Sequence, residues 1–118
     1  MIKEYHKFVE SLTADAEPMN KRLQDPQLMH ILHAVIGISG EAGELMDAVK
    51  KAIVYGKPID YVNLQEEAGD LLFYLTLLVN ESGMNFNDIM LENMKKLRLR
   101  YPNSKFTCDD ALSRKDKE

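Results

Sequence analysis

Four acidic residues carry the strongest chemical signal in this 118-residue sequence. They fall in two pairs, Glu41-Ala42-Gly43-Glu44 and Glu67-Ala68-Gly69-Asp70, with the acids of each pair three residues apart. On a helix that spacing stacks both side chains on one face, about one turn apart. Both pairs lie beside an apolar stripe, so their acids are expected to face a neighbouring helix. Carboxylates converging from two helices repel one another unless cations lie between them. Oxygen-only ligands favour a hard ion, Mg²⁺ or Mn²⁺. Acid pairs also occur on solvated helix faces, where Lys50, Lys51 and Lys95 could offset them. The small residues inside both pairs weigh against that reading. Glycine in a helix interior costs roughly 1 kcal/mol relative to alanine, and Gly43 and Gly69 are expected to let the two helices approach closely.

A basic cluster follows at Lys95, Lys96, Arg98 and Arg100, with Asn93 before it and Tyr101-Pro102 after. Lys96 and Arg100 share a face near a helix C-terminus, where positive charge complements the helix dipole. The same pair could hold the outer phosphates of a nucleotide whose inner phosphates meet metal ions. Other chemistries fit less well. Di-iron bundles need Glu-x-x-His pairs, and His6, His30 and His33 form none. Gly37-Ile38-Ser39-Gly40-Glu41-Ala42-Gly43 lacks the glycine spacing of a dinucleotide loop and the Gly-Lys-Ser/Thr of a phosphate loop, so its glycines are expected to serve helix packing. His33 falls on the stripe that rises through Gly37 to Glu41 and Glu44, about 12 Å from Glu41 along the axis. Cys108 has acidic neighbours that raise a thiol pKa, which argues against catalysis by it.

The elements that must position these residues are helical. Ile2, Tyr5, Phe8, Val9 and Leu12 recur at helical spacing, and Pro18 and Asp25-Pro26 mark residues 14–26 as a loop. A long helical pattern spans about 27–53, a third helix about 61–81 with Gly83 placed to close it, and a fourth begins at Asn85 or Asn87 and ends before Pro102. No strand alternation appears, and residues 103–118 read as a polar tail or packing arm. The expectation is an all-α, four-helix bundle subunit in a single domain over residues 1–118. Composition narrows the function. A net charge of −4 argues against duplex nucleic acid as a partner, because such binding uses a basic surface. No stretch reaches the roughly twenty apolar residues of a membrane span, and no signal-peptide pattern opens the chain. With its single cysteine, this suggests a cytoplasmic protein.

Taken together, the residues resemble the MazG-like family of all-α nucleoside triphosphate pyrophosphohydrolases. The likeness lies in Gly40-Glu41-Ala42-Gly43-Glu44-Leu45, then Glu66-Glu67-Ala68-Gly69-Asp70-Leu71-Leu72, then Asn93-x-x-Lys96-Leu97-x-x-Arg100-Tyr101-Pro102, and covers about residues 28–106. The resemblance implies a bundle assembled as a homodimer or homotetramer that cleaves a (deoxy)nucleoside triphosphate to the monophosphate and pyrophosphate with Mg²⁺. Carried over by position, it implies Glu41, Glu44, Glu67 and Asp70 as metal ligands and catalytic residues. It implies Lys96 and Arg100 as phosphate contacts, with Tyr74 and Asn93 lining the nucleotide pocket. Two alternatives accompany it: a phosphoribosyl-ATP pyrophosphohydrolase of the same superfamily, and a non-catalytic bundle that binds a nucleotide or a protein.

Overall fold

The computed structural model describes all 118 residues, and they are helical with no strand. Six helices run in chain order: α1 (Ile2–Leu12), α2 (Ala16–Arg22), α3 (Pro26–Tyr55), α4 (Tyr61–Glu81), α5 (Phe86–Arg100) and α6 (Cys108–Ser113), with a 3₁₀ turn at Lys115–Lys117. Short polar side chains start most of them by accepting from the free N–H groups of the first turn. Asp25 accepts from the Gln27 N–H at 3.0 Å, with Pro26 in the first turn of α3 where a missing N–H costs nothing. Asp60 accepts from the Asn63 N–H at 3.0 Å and opens α4. Asn85 opens α5 by accepting from the Asp88 N–H at 2.8 Å. Gly56 and Gly83 both take φ of +66°, the left-handed conformation that lets the chain leave α3 and α4 sharply.

Two segments expected to be irregular contain helix. Residues 14–26 hold α2, because Asp15 accepts from the Glu17 N–H at 3.2 Å and Pro18 falls in the first turn, where proline is tolerated. Residues 103–118 hold α6 and the 3₁₀ turn, with Thr107 accepting from the Asp110 N–H at 3.0 Å. Both helices are short, so their start signals rather than any long apolar period define them.

The principal packing is α3 against α4, joined through Gly56–Asp60 as an antiparallel hairpin. The far end of that hairpin is tied by Gln27 Nε2, which donates to the Glu81 carbonyl at 2.6 Å, and by His30 Nδ1 lying 3.3 Å from a Glu81 carboxylate oxygen. α5 packs instead on α6 and the 3₁₀ turn, with little contact to the hairpin. In one chain only Ala34, Ala48 and Val79 are buried. The radius of gyration is 20.0 Å, against about 13–14 Å for a compact chain of this length. No helix is long and apolar enough to cross a membrane.

Candidate metal centre

The α3–α4 hairpin brings one acid of the first pair to both acids of the second. Carboxylate oxygens of Glu41, Glu67 and Asp70 all lie within 4.8 Å of one another; Glu41 and Glu67 are half-buried and Asp70 is exposed. Glu44, one turn further along α3, is exposed and stands outside this group. The hydrogen bond between Glu67 and Glu41 raises the Glu67 pKa, and burial and the charges of Glu41, Asp70 and Glu66 push it the same way. Carboxylates gathered this closely hold their full negative charge only at a cost, which a cation among them would relieve.

None of the neighbouring lysines supplies that cation. Lys51 bonds Asp47 at 3.0 Å, which raises the lysine's pKa through the hydrogen bond and then the charge of Asp47. Lys95 faces Glu92 at 3.9 Å, and Lys50 sits 5.8 Å from the centre of the Tyr55 ring. No ion pair of the chain reaches Glu41, Glu67 or Asp70. Three oxygen donors on two rigid helices, without a cationic neighbour, fit a divalent metal ion.

Tyr74 lies one turn beyond Asp70 on α4, half-buried on the seam between the helices. Its ring rests on the backbone at Gly37, where an added Cβ would collide with the ring carbons. His33 meets the same ring edge-on, with centroids 5.7 Å apart and planes at 65°. Gly37 is thus the packing glycine of α3. Gly40, Gly43 and Gly69 have nothing within 4 Å of where a Cβ would sit, so the close helix approach expected at the two acidic pairs is not formed within one chain.

The basic residues are placed elsewhere. Asn93 and Lys96 are exposed on α5 and line a shallow groove with Ile89 and Glu92. Because α5 leans on α6 and the 3₁₀ turn, one chain does not bring them to the acidic group. Arg100 is engaged: its Nε donates to Asp116 Oδ1 at 2.7 Å and an Nη to Oδ2 at 2.8 Å. The paired hydrogen bonds hold the Asp116 carboxyl well below the usual range and push the guanidinium above its own. Asp116 gave no signal in the sequence, since sixteen residues and a helix separate it from Arg100 and no periodicity links them.

The sequence pattern of the MazG nucleotide pyrophosphohydrolase domain matches residues 30–105, more than half of the chain. The chain belongs to the MazG family. The MazG match contains both acidic pairs, Tyr74, Asn93, Lys96 and Arg100, and leaves α1, α2 and Asp116 outside it. MazG domains are nucleotide pyrophosphohydrolases, hydrolases of acid anhydrides that depend in general on divalent metal ions. No curated protein and no solved structure matches this MazG chain.

Proposed function

We propose that the protein, acting as one domain, is a Mg²⁺-dependent nucleoside triphosphate pyrophosphohydrolase that converts a (deoxy)nucleoside triphosphate and water to the monophosphate and pyrophosphate. The observation that carries this reading is the group of Glu41, Glu67 and Asp70, three carboxylates without a cationic partner inside the MazG match. Glu44 completes the ligand set from the next turn of α3, and Mn²⁺ is an acceptable substitute for Mg²⁺. The bound ions supply neutralisation of the triphosphate, a more acidic water and stabilisation of the leaving pyrophosphate. The chain's own residues do the rest. Glu41, Glu67 and Asp70 crowd their negative charge when no metal is present, and a bound cation would relieve that repulsion. Glu66 is exposed beside Glu67 and is free to accept a proton from water, whereas Asp47 is held by Lys51. Tyr74, fixed between Gly37 and His33, offers a ring to the nucleotide. Asn93 lies beside the phosphate-contacting pair, Lys96 and Arg100.

Assembly belongs to the same reading. Apolar side chains stand open along the hairpin, with Met46 at 72%, Ile53 at 79% and Phe73 at 64% exposure. A second copy of the chain, as a homodimer or a pair of dimers, covers these faces and brings an α5 to the acidic group. The partners are therefore a nucleotide and other copies of the chain, with no role for duplex nucleic acid or membrane, and the compartment is the cytoplasm.

The test is a product assay by anion exchange with Mg²⁺ and a panel of NTPs and dNTPs, repeated with EDTA. Monophosphate plus pyrophosphate, abolished by chelation, is the expected result. Diphosphate plus orthophosphate would overturn the assigned bond. Turnover of phosphoribosyl-ATP alone would transfer the site to the histidine-pathway reaction, and tight nucleotide binding with no turnover would make the protein a binding module.

A further inference from the structure

Residues 114–118 close over the end of α5 through one side chain. Between Leu112 and Glu118 only Asp116 is covered; its carboxylate is 0% exposed and the Arg100 side chain 17%. The remaining backbone bonds of this segment are local: Arg114 N–H to the Asp110 carbonyl at 3.3 Å, Lys117 N–H to Arg114 at 2.8 Å and Glu118 N–H to Lys115 at 3.4 Å. Arg114 adds a weaker contact to Asp116 at 3.6 Å and turns the chain with φ of +51°, a left-handed conformation unfavourable for a residue with a Cβ. The closed position thus rests on the Asp116–Arg100 pair, since every other residue from Leu112 to Glu118 is exposed.

A carboxylate and a phosphate present the same pair of oxygens to a guanidinium. Asp116 takes Nε and one Nη of Arg100, the edge a phosphate would grip. We propose that residues 114–118 are a strap that competes with anionic ligands for Arg100: closed, Asp116 occupies the guanidinium, and open, Arg100 accepts a phosphate. The inference rests on the reading of Arg100 as a phosphate contact. It adds an autoinhibitory step to that reading, because a polyphosphate must displace the strap to use this residue. Binding and opening are then linked, and each promotes the other by the same factor.

The test uses the full chain and inorganic tripolyphosphate as the probe, by titration calorimetry in EDTA at fixed ionic strength. Asp116→Asn is expected to bind at least about fivefold more tightly than wild type, and the gain should vanish in the Arg100→Gln, Asp116→Asn double variant. Unchanged or weaker binding by Asp116→Asn overturns the strap, as does a gain that survives without Arg100 or no binding to any of the three proteins. A second measurement needs no variant. Saturating tripolyphosphate should speed trypsin cleavage after Arg114 and Lys115 in the wild-type protein, and unchanged or slower cleavage overturns the proposal even if Asp116→Asn fails to fold. The nucleotide product assay judges the activity separately. A chain that cleaves nucleotides but shows no Arg100-dependent gain keeps its activity and loses the strap, while an inert chain with the gain keeps only the strap.

Discussion

At the residue scale, the decisive contact is between Glu67 and Glu41. Because Glu41 raises the folded-state pKa of Glu67 above its unfolded value, that carboxyl takes up a proton more readily in the metal-free native protein than in the unfolded chain. Stability contributed by the protonated form is therefore lost as pH rises from the ordinary carboxyl range through the raised value. Glu67→Gln removes this loss. In EDTA at pH 8 the variant should melt above wild type, with the gap narrowing as pH falls and wild type takes up its proton. Scanning calorimetry across pH checks this, and a lower Tm for the variant at pH 8 would count against a strained acid group. The same substitution should reduce kcat/KM with Mg²⁺ beyond the roughly 10–100-fold typical of a residue that merely supports a metal ligand. Greater stability with lost activity is the signature of acids gathered for a ligand rather than for the fold.

The helices show why glycine identity alone did not reveal glycine function. Gly37 and Gly43 lie on the same helix, yet one carries the Tyr74 ring and the other faces open space. Gly43→Ala should stabilise an isolated subunit by up to about 1 kcal/mol through helix propensity. Gly37→Ala makes the same gain but forces the ring away, and overpacking of that kind costs about 1–3 kcal/mol. It should therefore melt below Gly43→Ala, and urea titrations of the two variants compare them directly. A loss of stability at Gly43→Ala would mean that another copy of the chain packs against that position in the assembled protein. Helix ends were easier to read than helix faces. Asp25-Pro26, Gly83 and Asn85 act through hydrogen bonds and backbone conformation within a few residues, so their effects are local. α2 and α6 escaped notice because seven and six residues are too few to display an apolar period.

The whole molecule has too little interior for its apolar content. Three buried residues and a radius of gyration of 20.0 Å describe helices whose one extensive pairing is α3 on α4. The amphipathic α1 keeps Ile2, Tyr5, Phe8 and Leu12 exposed, each more than half. If other copies cover these faces, stability is inseparable from protomer concentration. Sedimentation equilibrium should give two or four times the 13.5 kDa chain mass, and Tm should rise with protein concentration. A monomer with a concentration-independent Tm would remove the second copy from the proposed function.

The sequence by itself determined the helical class, the main helix ends and the alignment of acids along two helix faces. Each depends on interactions within a few residues: capping bonds, left-handed glycines and the 3.6-residue turn. It also carried the resemblance to the MazG family, whose pattern matches residues 30–105. Tertiary structure alone decided which acids meet. The register of α3 on α4 joins Glu41 to Glu67 and Asp70 and leaves Glu44 apart, although the four were equivalent by spacing. It likewise decided that Gly37 rather than Gly43 bears a neighbour, and that Arg100 is held by Asp116. Those outcomes depend on how rigid helices are set side by side and on where a chain returns after many residues, and no local periodicity encodes either.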